Sequence, residues 1–462
     1  MSGITYNRKM TDAEGLMWRL ESDPHLSSTF AAISILDRSP DFAQFRQRME
    51  RASLVMPRLR QAVRVVPGNL APPTWVADSN FDLDHHVRRV ELPIGSDERV
   101  LLDLASLTIA APFDRSRPLW EFTIVEGLEG GQAALIQKMH HTIADGESGV
   151  KLSLEYMDFE RDAPARELPN PDHSDGAAER LEDDATEVVR DLLAATLRLP
   201  VGVARQVRDL LADPSQIANA TSSAAETIRS IVAQLGDTDG ARSPLWTERS
   251  LGRHVETASA PFRPTKDAAT ALGGTLNTAF MTIAATAVSR YHVELDSPID
   301  ELRASMAIST RTDDSGANAF SLVRMLVPTG DMAIDERFMA IHEATDAAVN
   351  ASKGASLDGL AALAATLPTQ VVTRLARQQA QTIDFATSNV KGSPFAMFVA
   401  GSQILSNHAI GPLSGVAFNL TLLSYKGHLD MGLNTDPAAV EYPALLRRFL
   451  ADSIDDFVAF AP

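Results

Sequence analysis

The residues best suited to moving a proton lie in the stretch Ala133 to Val150, AALIQKMHHTIADGESGV. His140 and His141 are adjacent, and Asp145-Gly146 follows shortly after them. An imidazole changes charge near neutral pH, so it can take a proton from a hydroxyl in a transition state, and a nearby carboxylate can hold its surroundings in one geometry. Ala133 to Met139 reads as a strand. If the pleat continues, His140 and His141 project to opposite faces and only one imidazole meets a given ligand. Asp145-Gly146 makes a tight turn, and Ser148 before Val150, Leu152 and Leu154 marks a helix start. The pair sits where a strand ends and a loop begins, which favours presenting a side chain to a cleft. General-base catalysis is the chemistry this arrangement points to.

A metal reading of the same residues stands beside it. His140, His141 and Asp145 are all ligand types for divalent ions, but adjacent strand histidines diverge, so a shared ion requires the strand to break. A second histidine pair, His85-His86 in FDLDHHVRRV, has no Asp-Gly after it and lies among charged residues, and it reads as structural.

The elements that must position these groups come from a chain of 462 residues, long enough for two domains or one two-lobed body. It is 45% hydrophobic and 22% charged, the profile of a globular protein with apolar area to bury. A net charge of −18 would repel a phosphate backbone, so nucleic acid is not an expected partner. With no cysteine, the chain offers no disulfide, no thiolate metal site and no acyl-cysteine intermediate. Charged residues precede any apolar run at the N-terminus, and no segment approaches a bilayer-spanning length, so a cytoplasmic location with at most peripheral membrane contact is expected.

An α/β texture occupies the first third, with helical spacing at Phe42 to Ala52 and a strand at Ala62 to Val66. Acidic residues and prolines from Glu160 to Arg190 mark a solvated connector, and amphipathic helices are expected at 185–197, 203–211 and 224–235. A second α/β texture follows, with a helix from Asn277 to Tyr291 capped by Thr275 and strands at Ala304 to Ile308, Leu322 to Val327 and Ala417 to Tyr425. The expected division is 1–160, a linker at 161–245, and 246–462.

HHTIADG resembles the HHxxxDG signature of the chloramphenicol-acetyltransferase-like, CoA-dependent acyltransferases, which include peptide-synthetase condensation domains. The chain as a whole is most similar to the bacterial wax ester synthase/acyl-CoA:diacylglycerol acyltransferase branch. PRLRQAV (Pro57 to Val63), FDLDHHVRR (Phe81 to Arg89), FDRSRPLWE (Phe113 to Glu121), SPLW (Ser243 to Trp246), GGTLN ending at Asn277, SNV (Ser388 to Val390) and FNLTLLSYKGHLDMGL (Phe418 to Leu433) carry the likeness in order.

The resemblance implies an α/β fold of two acetyltransferase-like lobes, mixed sheets flanked by helices, a partly helical linker, and a tunnel between the lobes. It implies acyl-CoA as a substrate, no cofactor or metal, and a long-chain alcohol or diacylglycerol as acceptor. The amphipathic helices within 185–211 have apolar faces that either touch a droplet or membrane surface or pack on the protein itself. His141 is then the base, His140 and Asp145 shape the loop, Gly146 permits its turn, and Arg60 pairs with Asp145. Asn277, Ser388 and Asn389 are candidates for oxyanion stabilisation or tunnel lining. The chain departs from the family's usual Asn-Asp at Asn277-Thr278, and from Pro-Gly-Pro at Lys391-Gly392-Ser393-Pro394. Two rival functions are a glycerol-phosphate-type acyltransferase using His140 and Asp145 as H-x₄-D, and a non-catalytic acyl-CoA or lipid-binding protein.

Overall fold

Fourteen strands and ten helices build the described parts of the chain. The structure is a computed structural model and describes residues 8–65, 72–144, 146–164, 166–168, 243–309, 320–351, 361 and 369–462. In the first half these are α1 (Asp12–Leu20), β1 (Thr29–Leu36), α2 (Phe42–Val55), β2 (Gln61–Arg64), β3 (Thr74–Ala77), α3 (Leu83–His86), β4 (Val87–Ser96), α4 (Glu98–Ala110), β5 (Trp120–Leu128), β6 (Ala133–His140) and α5 (Gly146–Ser153). The second half contributes β7 (His254–Pro261), α6 (Phe262–Ala271), α7 (Leu276–Glu294), β8 (Glu301–Ser309), β9 (Phe320–Pro328), α8 (Ile334–Ala351) and α9 (Thr369–Ala380). It ends with β10 (Phe385–Lys391), β11 (Phe398–Val399), β12 (Ser402–Ile410), β13 (Phe418–Tyr425), β14 (His428–Thr435) and α10 (Pro443–Val458). The helices expected at 185–197, 203–211 and 224–235 lie outside the described residues.

Two six-stranded sheets dominate, ordered β11-β12-β1-β6-β5-β4 and β7-β14-β13-β10-β8-β9. Both are mixed: β4 runs parallel to β5, and β10 runs parallel to β8 and β13, while the other pairings are antiparallel. Every residue of β6 is buried, the polar Gln137, Lys138 and His140 included, so this central strand is covered on both faces.

Hydrogen bonding does not follow the linear division of the chain at 161–245. Strand β12, from the second half, pairs antiparallel with β1, and Ile404 and Met397 join the core that holds Trp120 and Phe122. The same strand is tied to the second sheet. His408 Nδ1 donates to the Met431 carbonyl (3.1 Å), the Asn407 amide donates to Asp430 Oδ2 (2.8 Å), and the Tyr425 hydroxyl donates to the Ile404 carbonyl (3.0 Å). Gly432 of β14 makes this crossing feasible, because a Cβ there would collide with the Ala409 carbonyl and Ile410. At the far edge, Arg99 of α4 donates to Glu256 Oε1 (2.8 Å) and to the Val255 carbonyl (3.0 Å) of β7. The two lobes are therefore held in one relative placement.

Helix α7 begins with Thr275, whose side chain accepts from the Thr278 amide (3.2 Å), and it is buried along nearly its whole length in the second core. Its threonines satisfy themselves locally, as when Thr282 Oγ1 donates to the Thr278 carbonyl (2.8 Å). Among the described residues, no single helix is long and apolar enough to cross a membrane.

Candidate active site

Strand β6 carries the histidine pair to the edge of the first lobe. His140 is the last strand residue and lies opposite Thr29 in β1, while Phe30 lies opposite Met139. The His141 ring rests against Phe30, with centroids 4.7 Å apart, so it shares the face of Met139 and Phe30, and His140 takes the other face. The divergence expected from the pleat is what the register produces.

The surroundings of the two imidazoles differ in kind. His140 is 1% exposed and has both ring nitrogens engaged. The Thr142 amide donates to Nδ1 (3.2 Å), with the Thr142 hydroxyl 2.8 Å away, and an amide can only donate, so Nδ1 is the acceptor. The proton therefore sits on Nε2, which donates to Glu21 Oε2 (3.1 Å). His141 is half-buried, and its backbone amide donates to the Ser28 carbonyl (3.1 Å). Of the two, His141 is the less buried ring.

Glu21, absent from the sequence reading, anchors this corner. It closes the C-terminus of α1, where its amide donates to the Met17 carbonyl (3.1 Å), and α1 is fixed at its other end by a Thr11–Glu14 capping box. Burial pushes the Glu21 carboxyl up, but the hydrogen bond from His140, with donors from Ser28 and Ser27, holds it below its ordinary value. It is therefore an ionised acceptor at neutral pH.

Asp145 lies outside the described residues. Gly146 opens α5, and α5 packs against β10, the second-lobe strand that carries Ser388 and Asn389. The helix that follows the histidine pair thus meets the second lobe at β10. Asn389 donates from Nδ2 to Asn277 Oδ1 (2.5 Å), which brings two of the sequence candidates together on the exposed N-terminal turn of α7. Ser388 is half-buried in the same strand, opposite Thr421. Arg60, the expected partner of Asp145, is paired with Glu50, donates to Ser53 Oγ (3.0 Å), and lies over the Phe81 ring (4.6 Å).

The two departures from the family pattern have local explanations. Thr278 is buried, and its hydroxyl sits between Oγ1 of the capping Thr275 (3.0 Å) and His342 Nδ1 (3.3 Å). The glycine of Pro-Gly-Pro is retained as Gly392 because a Cβ there would collide with the Ser424 carbonyl.

Several family-like stretches prove to be packing. In FDRSRPLWE, Trp120 is fully buried and donates from Nε1 to the Leu59 carbonyl (2.9 Å). Phe113 and Glu121 flank the buried Lys138 ammonium, which lies 4.2 Å from the ring centroid and 3.6 Å from the carboxylate. His86 is fully buried between Phe81 and Trp120 and donates from Nδ1 to the Trp120 carbonyl (2.7 Å). His86 is thus part of the core, with the half-buried His85 beside it. Among the described residues, no group of three or more His, Asp and Glu side chains is arranged to hold a metal ion.

Two interlocked lobes, each built on a mixed six-stranded sheet, place His140, and His141 directly after it, at the end of β6. The wax ester synthase/diacylglycerol acyltransferase catalytic domain matches residues 10–280 and the C-terminal domain of that family matches residues 316–457, and the chain belongs to this family. A Mycobacterium tuberculosis protein named as a diacylglycerol O-acyltransferase is 32% identical over 458 residues, covering 96% of this chain and 91% of its own. A second M. tuberculosis protein named for the same activity is 25% identical over 472 residues, covering 98% and 96%. Among solved structures, the wax ester synthase/diacylglycerol acyltransferase from Marinobacter aquaeolei VT8 has a TM-score of 0.67 at 20% identity, covering 98% of this chain and 99% of its own. The first condensation domain of the CDA synthetase has a TM-score of 0.57 at 15% identity, covering 99% and 98%, a likeness of fold.

Proposed function

We propose that the protein transfers a long-chain acyl group from acyl-CoA to the hydroxyl of a long-chain alcohol or of diacylglycerol, forming wax ester or triacylglycerol, with His141 as general base. Family membership and the names of the relatives support the reaction class. The observation that carries the residue assignment is the asymmetry of the pair: His140 is locked by Thr142 and Glu21, whereas His141 is half-buried beside Phe30.

The imidazole of His141 takes the acceptor's hydroxyl proton as the oxygen attacks the thioester carbonyl. The tetrahedral oxyanion then collapses, the carbon–sulfur bond breaks, and the imidazolium returns the proton to the departing CoA thiolate. Acyl-CoA enters as a substrate, and no acyl-enzyme intermediate forms. Asp145 and Gly146 shape the loop, and the amides of Asn277 and Asn389 beside Ser388 offer donors for the oxyanion or for lining the acyl path.

The same locking argues against His140 as the base of an H-x₄-D acyltransferase, since neither of its ring nitrogens is open to an acceptor hydroxyl. The test of the proposal is His141→Ala, assayed with palmitoyl-CoA and hexadecanol or dioleoylglycerol. Turnover is expected to fall by about 10²- to 10⁴-fold with acyl-CoA affinity retained. Full turnover in that variant would end the assignment.

A further inference from the structure

We propose that Glu21 is a positioning residue for both histidines, fixing through one carboxylate the ring of His140 and the strand end from which His141 emerges. This rests on the reading of His141 as the base. Oε2 accepts from His140 Nε2 (3.1 Å) and from the Ser28 amide (2.8 Å), and Oε1 accepts from the Ser27 hydroxyl (2.7 Å). The Ser28 carbonyl in turn accepts from the His141 amide (3.1 Å). A single side chain therefore holds the residue beside which His141 is registered and the ring immediately before it.

The chain of support is short and stiff. Glu21 is set by the end of α1, and Ser27 and Ser28 lead directly into β1, whose Phe30 carries the His141 ring. Its charge also acts on Arg115, Lys138 and Arg253, so the carboxylate has cationic surroundings that favour ionisation. Glu21 touches neither reacting atom in this scheme and acts through Ser28 and His140. A base displaced by about 1 Å loses on the order of 10² in rate, so a loose Glu21 corner should appear in turnover rather than in substrate binding.

Three variants separate positioning by hydrogen bonds from a charge effect and from plain stability. Glu21→Gln keeps the acceptor oxygen for His140 and Ser28, and its amide can donate to the Ser27 hydroxyl, while the charge is lost. Glu21→Asp keeps the charge but withdraws the oxygens by one methylene. Glu21→Ala removes both. Each full-length variant is assayed well below its melting temperature, with kcat and acyl-CoA KM measured separately and folding checked by circular dichroism.

The expected order of kcat is wild type, then Glu21→Gln within about fivefold, then Glu21→Asp and Glu21→Ala lower by about tenfold to a hundredfold, all with KM within about twofold. If Glu21→Ala fails to fold, the order of the two conservative variants decides. Glu21→Asp outperforming Glu21→Gln, or wild-type kcat in folded Glu21→Asp or Glu21→Ala, overturns the proposal. His141→Ala assayed alongside distinguishes the two failures: a silent His141→Ala with the Glu21 order reversed removes only the positioning role, whereas an active His141→Ala removes the base itself.

Discussion

Acidification should weaken the first lobe well before its carboxylates titrate, because of His86. Burial pushes this imidazole from 6.5 down to about 4, with the Trp120 carbonyl partly opposing the shift and the charge of His85 adding to it. A base whose folded-state value is depressed is neutral in the native protein and takes up its proton more readily when unfolded. Its contribution is therefore complete above pH 6.5 and is lost as pH falls from 6.5 towards 4. For these two values, linkage gives a loss of about 2 kcal/mol between pH 7.5 and 5, rising to about 3 kcal/mol at pH 4. His292, also buried and depressed by desolvation, acts in the same direction, so a single pH series on the wild type does not isolate His86. The comparison with His86→Asn does, since an Asn amide can replace Nδ1 as donor to the Trp120 carbonyl without a proton to gain. Urea unfolding at pH 7.5, 6 and 5 should show the wild type losing about 2 kcal/mol more than the variant across that range. Parallel pH dependence in the two proteins would refute the buried, neutral assignment of His86 and with it the contrast between the two histidine pairs.

Asn277→Ala and Asn389→Ala should each lower kcat/KM by about tenfold, and the double variant should lose little more, because the two amides are hydrogen-bonded to one another and act as a unit. Independent, additive losses in steady-state kinetics would show that they serve separate purposes. Gly432→Ala should destabilise the protein by about 1–3 kcal/mol, read as a lower urea midpoint, because its methyl group would press on the β12 backbone where the two sheets cross. An unchanged midpoint would mean that the lobes can part at this crossing without cost.

Much of this protein was legible in its sequence because the relevant physics is local. Strand β6, the cap at Thr275, the helix that follows it and the opposite pointing of His140 and His141 all depend on periodicity or neighbouring residues, which act over a few positions in any context. The likeness of ordered motifs supplied the family, and the described fold agrees with it. Other features depend on residues that meet only after the chain has folded. Glu21 carries no motif and stands 119 residues before His140, so nothing near either residue announces their hydrogen bond. Arg60 pairs with Glu50 of α2, a contact between two elements that no motif announces. Nothing within the segment that forms β12 says whose edge it completes, since an open strand can pair with any neighbour of suitable register. Residue type and spacing determined which side chains could move a proton, and the likeness of ordered motifs added the acyl-transfer chemistry; which imidazole is locked, and which carboxylate locks it, was decided by burial and long-range hydrogen bonding.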